Sequence, residues 1–229
     1  MTPTSSSRPG EKRKKTVFLV DDHPLVREWL TNLINQQPDL VACGEADHAP
    51  QAMQAISETQ PDIAIIDISL RDSSGIELIK SLKEAHPRIA VLVLSMHDEA
   101  LYAERALRAG AKGYVMKRET AQKVIEAIRR VLEGKLYVSD SVAQALTARV
   151  VKGDAAAGAS PVEQLSDRDL EVFELLGRGL GTRQVAETLR VSVKTVQAYC
   201  ARMKPKLNVN SGTELLREAI RWNEAKYPR

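Results

Sequence analysis

The stretch VFLVDDHP at residues 17–24 decides the fold. Its first four residues are apolar on both faces, as in a strand buried inside a parallel sheet. Asp21 and Asp22 follow at once. Two adjacent carboxylates repel each other, and acids are rarely buried without a partner. A buried strand that ends in this pair therefore predicts a cation-binding site at its carboxyl end.

The rest of the N-terminal half repeats the same alternation of a short apolar run and a helical pattern. Val- and Ile-rich runs of this kind suit parallel strands that helices cover on both faces. Five βα repeats predict an α/β domain with a doubly wound five-stranded parallel sheet. The predicted strands are 17–20, 40–43, 63–67, 89–95 and 113–116, and the predicted helices are 24–36, 49–59, 74–85, 98–109 and 120–133.

The C-terminal part loses the strand pattern and predicts an all-α domain of four helices. One further helix is expected at 140–151, and the small, polar stretch 152–164 is typical of a linker between domains. We therefore divide the chain into a disordered basic tail (1–15), an α/β domain (16–138), a helix with a flexible linker (139–164) and a helical domain (165–229). The four predicted helices of the last domain are 167–178, 182–189, 192–204 and 212–224.

Composition places the chain among ordinary globular proteins. It has 229 residues, 43% of them hydrophobic, and no apolar run is long enough to span a bilayer. The N-terminus is polar and does not read as a secretory signal. Its two cysteines, Cys43 and Cys200, have no metal-ligand or paired spacing. These features predict a cytoplasmic protein without a membrane partner.

Charge is distributed unevenly along the chain, although the net value is only +3. Residues 1–15 carry a net +4 and residues 160–229 a net +3, which leaves −4 on the stretch between them. An acidic body and a basic C-terminal part indicate two domains with different partners.

Polar side chains end four of the five predicted strands. Asp67 follows the third strand, Ser95 ends the fourth and Lys117 follows the fifth. Ligands of such sheets gather beyond the carboxyl ends of the strands, so these groups should join Asp21 and Asp22 in one crevice. Oxygen ligands of this kind favour Mg²⁺. One carboxylate could then attack a phosphoryl group, with the lysine and the serine hydroxyl binding phosphoryl oxygens.

Each of these residues also has an ordinary structural interpretation. A lone aspartate after a strand is most often a turn or a helix cap, and a lone lysine is most often a solvated strand end. Two adjacent acids, a third acid, a serine and a lysine on four strand ends are much harder to explain in that way. The combination favours the functional interpretation.

Residues 16–134 resemble the receiver domain of bacterial response regulators. The resemblance implies a sheet of strand order 2-1-3-4-5, an Mg²⁺ cofactor and phosphorylation of Asp67 by a sensor histidine kinase. Arg71 departs from the family, which usually has proline there to preset the loop. The implied metal ligands are Asp21, Asp22, Asp67 and the backbone carbonyl of Ser69, and the implied switch and phosphoryl-binding residues are Ser95, Tyr114 and Lys117.

The segment 182–207 has the pattern of a helix, a short turn and a second helix. On the second helix an apolar stripe should face a core, and no acid occurs between Ser192 and Lys206. A helix with a basic or small-residue face opposite its apolar stripe fits the DNA major groove, although such faces are more often simply solvated. The stripe consists of Val196, Cys200, Met203 and Leu207.

Residues 165–224 are similar to the LuxR-type helix-turn-helix, so the whole chain resembles a NarL/FixJ-type response regulator. Three departures from the family are Asp169 in the opening motif, Tyr199 where histidine is common, and Pro205, which should end or kink the recognition helix by Lys204. The resemblance implies phosphate contacts from Lys194, Thr195, Tyr199, Arg202 and Lys204, and contacts to base edges from Gln197, Ala198 and Ala201.

Together these resemblances imply a transcription regulator rather than an enzyme. Phosphorylation of Asp67 would control homodimerisation and binding to double-stranded DNA. In the resting state a face of the receiver, or the neighbouring module, would cover the recognition helix. Two alternatives stay open from sequence: a DNA-binding regulator that works without phosphorylation, and a phosphorelay or protein-interaction regulator that does not bind DNA.

Overall fold

The computed structural model describes residues 13–70, 73–152 and 161–226. Arg71 and most of the predicted basic tail lie outside the described residues. The strands are β1 (Lys15–Val20), β2 (Leu40–Ala46), β3 (Ile63–Ile66), β4 (Ser69–Leu70), β5 (Ser73–Ser74), β6 (Ala90–Ser95) and β7 (Gly113–Met116). The helices are α1 (Pro24–Asn35), α2 (Ala49–Thr59), α3 (Gly75–Ala85), α4 (Glu99–Ala109), α5 (Ala121–Leu132), α6 (Asp140–Lys152), α7 (Asp167–Gly177), α8 (Thr182–Thr188), α9 (Val193–Lys206) and α10 (Gly212–Lys226).

The central sheet has five parallel strands in the order β2-β1-β3-β6-β7. Because β6 and β7 are its fourth and fifth strands along the chain, the predicted order 2-1-3-4-5 is confirmed. The register pairs Val20 with Ile66 and Ile66 with Val93, so β1, β3 and β6 end side by side. That alignment places the residues that follow these strands at one edge of the sheet.

Two apolar layers cover the sheet. On one face Leu30 and Ile34 of α1 pack with Val124 and Ile128 of α5. The other face is covered by α2, α3 and α4, whose apolar cluster is continuous with the core of the C-terminal helices. Burial of each large apolar side chain contributes about 1.5–3 kcal/mol, so the α/β domain has a substantial core beneath its polar edge.

A small antiparallel hairpin, β4 and β5, follows Asp67 and was not predicted from the sequence. It turns the chain back so that the Gly75 amide donates to the Ile68 carbonyl (2.7 Å). Ser74 then caps α3, because its hydroxyl accepts a hydrogen bond from the Ile76 amide (3.2 Å). The hairpin therefore fixes the backbone immediately after Asp67.

The prediction that the recognition helix ends by Lys204 is wrong, and its alternative, a kink at that point, stays a prediction. Helix α9 continues through Pro205 to Lys206. Proline removes one hydrogen bond, to the carbonyl of Ala201, and Ala201 lies on the exposed side of the helix. The helix also keeps a bond beyond the proline, from the Leu207 amide to the Met203 carbonyl (3.0 Å).

The two domains contact each other through a network centred on Arg105 of α4. Its guanidinium donates to the carbonyl of Leu165 (2.8 Å) and to the Asp167 carboxylate (3.1 Å). The end of the predicted linker belongs to this contact, since residues 161–164 form a short 3-10 helix whose Val162 is buried. Within the part of the chain that is described, no helix is long and apolar enough to cross a membrane.

Candidate phosphorylation site and nucleic-acid interface

Three carboxylates lie together at the carboxyl edge of the sheet. Asp21 and Asp22 follow β1, and Asp67 follows β3. The Asp67 amide donates to the Val20 carbonyl (2.9 Å), which holds the ends of the two strands together. All three acids are at most 8% exposed, so their mutual repulsion has to be offset by nearby cations.

Lys117 supplies one of these cations. Its ammonium lies 2.6 Å from Asp21 Oδ2 and 2.6 Å from Asp67 Oδ2. Burial disfavours its charged form, but the two carboxylates outweigh this and raise the pKa of Lys117. Burial raises the pKa of Asp67, an effect that the Lys117 charge opposes and the Asp21 charge increases. Lys117 is thus held as a cation directly at the predicted phosphoryl acceptor.

Ser95 and Tyr114 lie behind the acids and are both buried. The Ser95 hydroxyl accepts a hydrogen bond from the His97 amide (3.3 Å). The Tyr114 hydroxyl donates to the His97 carbonyl (2.8 Å), and burial raises the pKa of that phenol. Both predicted switch residues therefore contact the same loop, between β6 and α4.

The acids have the chemistry that a hard divalent cation needs. Asp67 Oδ1 is buried and accepts no hydrogen bond from the described residues, and Asp22 Oδ1, which also accepts none, has the ring nitrogen of His23 beside it (2.7 Å). Ligand atoms of Asp21, Asp22, His23 and Asp67 all lie within 4.8 Å of one another. Uncompensated buried carboxylate oxygens are costly, and oxygen ligands are the ones that Mg²⁺ prefers. The residues present therefore fit the predicted cofactor.

The C-terminal domain covers this edge of the sheet through helix α7. Glu171 accepts a hydrogen bond from the Ser69 hydroxyl, and its carboxylate lies 3.1 Å from His97 Nε2. Glu174 lies 3.8 Å from the other ring nitrogen of His97. A cavity of about 270 Å³ remains between the two domains, and Asp67 and Lys117 line it.

His97 is held as a cation by this contact. Burial would lower its pKa, but Glu171 and Glu174 raise the pKa of His97 to about 9. Burial acts in the opposite direction on the two glutamates, and hydrogen bonds from His97 lower the pKa of both. A buried charge in this position stays favourable only while its partners are present.

A second contact between the domains reaches the acid pair itself. Arg190, in the turn between α8 and α9, donates to Asp22 Oδ2 (2.9 Å). On the other side His23 Nδ1 lies 2.7 Å from Asp22 Oδ1. Four residues of these contacts were not predicted to be functional: His97, Glu171, Glu174 and Arg190. Partners across the domain contact are distant in the sequence, 102 positions for Glu171 and Ser69 and 168 for Arg190 and Asp22, and no spacing in the sequence signals such contacts.

Helix α9 presents the predicted DNA-binding face to solvent. Val196 and Met203 are fully buried on its inner side and Leu207 nearly so, as the apolar stripe predicts. The prediction that the receiver covers this helix is wrong for the described arrangement, because the receiver contacts α7 and Arg190 instead. Of the predicted DNA contacts, Lys194, Gln197, Ala198, Ala201 and Arg202 are exposed, and Thr195, Tyr199 and Lys204 are half-buried.

Arg202 differs from the other basic residues of this face because an acid of its own domain binds it. Its guanidinium donates to Asp169 at 2.7 and 3.0 Å, and Lys206 donates to the same carboxylate at 3.0 Å. Ser166 caps the Asp169 amide (3.2 Å), but the Asp169 side chain points to these two cations. Asp169 therefore joins the start of α7 to the end of α9.

Comparison with known proteins covers both domains. Residues 17–129 match the family described as "Response regulator receiver domain", and residues 163–219 match "Bacterial regulatory proteins, luxR family". The oxygen regulatory protein NreC of Staphylococcus carnosus (strain TM300) is 34% identical over 90% of this chain and 96% of its own length. The transcriptional activator protein ExaE of Pseudomonas putida is 35% identical over 89% of this chain and 95% of its own length.

Among solved structures, one neighbour is RcsB of Salmonella enterica serovar Typhimurium bound to promoter rprA in the presence of phosphomimetic BeF3⁻. Its TM-score is 0.57 at 23% identity, over 90% of this chain and 98% of the other, and that likeness supports the fold. Both family matches lie on the domains that carry the acid cluster and the exposed helix face. The chain belongs to the response regulators that join a receiver domain to a LuxR-type helix-turn-helix DNA-binding domain.

Proposed function

We propose that this response regulator is switched by phosphorylation of Asp67, with a sensor histidine kinase as the phosphoryl donor and Mg²⁺ as the cofactor. The observation that carries the proposal is Lys117, whose ammonium lies 2.6 Å from Asp67 in a buried acid cluster. A lysine in that position can bind a phosphoryl oxygen as soon as the carboxylate has accepted the group.

The proposed transfer is a substitution at phosphorus. An Asp67 oxygen forms a P–O bond while the P–N bond of the kinase phosphohistidine breaks, and the donor imidazole leaves. Asp21, Asp22 and the Ser69 carbonyl would hold Mg²⁺, which when bound offsets negative charge on the transferring group. Lys117 neutralises one phosphoryl oxygen, and the Ser95 hydroxyl donates to another.

The domain contact makes access to Asp67 part of the mechanism. Asp67 is 3% exposed, and α7 lies across the edge at which a kinase would approach. Separation of the domains would precede transfer, and the phosphorylated receiver would then hold them apart. Ser69 and the β6–α4 loop connect the phosphorylation site to the DNA-binding domain. Glu171 binds Ser69 and His97 there, and Glu174 binds His97.

Incubation with Mg²⁺ and a small-molecule phosphodonor is expected to add one phosphoryl group to the chain. Asp67→Asn should lose the adduct completely, since an amide is not a phosphoryl acceptor. Intact-mass spectrometry measures the result, and Asp62→Asn is a matched control, because Asp62 pairs with Lys15 and Thr16 at the opposite end of the sheet. An adduct that persists in Asp67→Asn would contradict the proposal.

We further propose that the activated protein binds double-stranded DNA as a homodimer through the exposed face of α9. Lys194 lies in the first turn of this helix and is exposed, so it is suited to a phosphate contact. Exposed Leu216 on α10 is available for the contact between two copies of the chain.

Lys194→Gln is expected to weaken DNA binding uniformly across sequences and to lower the salt dependence by about one phosphate contact. Fluorescence anisotropy with a duplex at several salt concentrations measures both quantities. Lys80→Gln provides the control, since it removes the same charge from the exposed side of α3 in the receiver. An unchanged salt slope in Lys194→Gln would place the DNA contact elsewhere.

A further inference from the structure

The turn of the helix-turn-helix carries a cation that reaches into the receiver. Arg190 is held with a left-handed backbone, φ 53°, and its turn is fixed by bonds from the Arg190 amide to Glu187 (3.2 Å) and from the Val191 amide to Ala186 (2.9 Å). Its guanidinium nitrogen lies 2.9 Å from Asp22 Oδ2. A residue of the DNA-binding motif thus binds an acid of the phosphorylation pocket.

The charges of the pocket divide into two sets. Lys117 lies between Asp21 and Asp67 and is shared by both carboxylates. Asp22 instead contacts the guanidinium of Arg190 and the ring of His23. Asp22 is only 8% exposed, so removal of Arg190 would leave a buried carboxylate that needs another cation.

We propose that Arg190 and the divalent cation compete for Asp22, so that metal binding and closure of the two domains oppose each other. This inference rests on the proposed function, which makes Asp22 a metal ligand. A guanidinium cannot ligate a metal, and two cations on one carboxylate repel each other strongly when partly desolvated. The closed arrangement therefore binds metal weakly, and the metal-loaded receiver releases Arg190.

A second contact acts in the same direction. The Ser69 hydroxyl donates to Glu171 of α7, while the carbonyl of the same residue is a proposed metal ligand. Two of the proposed ligand residues, Asp22 and Ser69, are thus also the receiver's partners for the DNA-binding domain. Because coupling between two binding events is reciprocal, separation of the domains should tighten metal binding by the factor by which metal favours separation.

The test is Mg²⁺ binding to the full chain, without a phosphodonor, by isothermal titration calorimetry at low ionic strength. Arg190→Gln removes the charge and keeps a side chain of similar reach, and it is expected to bind Mg²⁺ about fivefold more tightly than the wild type, a factor typical of a partly exposed ion pair. Arg183→Gln is the matched control, since Arg183 lies on α8 and pairs with Glu187 of the same helix rather than with an acid of the receiver that is described. Its Mg²⁺ affinity should stay within about twofold.

Arg190→Lys distinguishes the effect of the positive charge from an effect of the substitution on the turn. It keeps the positive charge and should retain near-wild-type Mg²⁺ affinity, so an equal rise in Arg190→Lys and Arg190→Gln would overturn the competition. Small-angle X-ray scattering gives a second readout. Mg²⁺ should increase the radius of gyration of the wild type, and Arg190→Gln should reach the larger value at a lower Mg²⁺ concentration.

Equal Mg²⁺ affinity in the wild type and Arg190→Gln, together with normal phosphorylation of Asp67, would overturn the competition alone. Absence of Mg²⁺ binding from every variant would overturn both. Binding that appears only in Arg190→Gln would support the competition in its strongest form.

Discussion

Replacing Gly75 by alanine is expected to lower the free energy of unfolding by roughly 3 kcal/mol, at the upper end for an overpacked site. Gly75 is buried at the start of α3, where the hairpin returns the chain across the residue after β3. A β-carbon there would lie far inside van der Waals contact with the Asp67 carbonyl oxygen, and it would also crowd the Ile68 α-carbon. Both neighbours are backbone atoms, so the clash can be relieved only if the backbone of Asp67, the proposed phosphoryl acceptor, moves.

Thermal unfolding followed by circular dichroism should show the melting temperature of Gly75→Ala lowered by roughly 10 °C. The remaining folded protein should also accept phosphoryl groups more slowly, because the Asp67 backbone is displaced. Gly212→Ala is the control, since a β-carbon at Gly212 would meet open space. Replacing a glycine by alanine in a helix normally stabilises that helix. Equal stability of Gly75→Ala and wild type would show that the hairpin can move freely.

Raising the pH from 6.5 to above 9 is expected to separate the two domains. The contact raises the pKa of His97 from its usual 6.5 to about 9, so its contribution to closure is fully present below pH 6.5. That contribution declines as the pH rises and is lost above 9. A shift of this size corresponds to about 3 kcal/mol. The groups that face His97 are Glu171, Glu174, Ser69 and the ring of Tyr102, which is tilted by 46° to the imidazole.

Small-angle X-ray scattering across this pH range measures the separation as an increase in radius of gyration. His97→Gln should abolish the pH dependence and remain open throughout, because it removes the cation of the receiver that pairs with both buried glutamates. His86→Gln removes a histidine on the far side of the receiver, where its ring contacts Ser57 and Gln60, and should behave as the wild type. A pH dependence that survives in His97→Gln would assign the closure to other groups.

The sequence predicted the sheet and its polar edge because both follow from local patterns. Apolar runs of strand length identify the strands, and the carboxyl ends of parallel strands meet at one edge. Asp21, Asp67, Ser95 and Lys117 therefore come together in the structure as their positions after the strands indicate. The inner stripe of α9 was predictable for the same reason, from its helical period.

The contact between the domains could not be predicted in this way. Glu171 and Glu174 lie three residues apart on a helix, a pattern that normally indicates a solvated face, yet both are 2% exposed. Their burial depends on His97 and on two arginines of the same helix region, Arg168 and Arg178, which bind them at 2.5 and 2.6 Å. The two arginines are neighbours on the helix, but His97 lies in the other domain, and the local pattern does not indicate that partner.

The position of Arg190 in the turn before α9 has a consequence for modularity. A turn in this motif is ordinarily shaped by the two helices that it joins, whereas here its side chain also has to match an acid of another domain. Chimeras that combine this helix-turn-helix with a foreign receiver should keep their fold and lose their regulation, unless Asp22, Ser69 and His97 have counterparts in the new receiver. Each domain can thus fold beside a foreign partner, but its regulation depends on side chains of both domains.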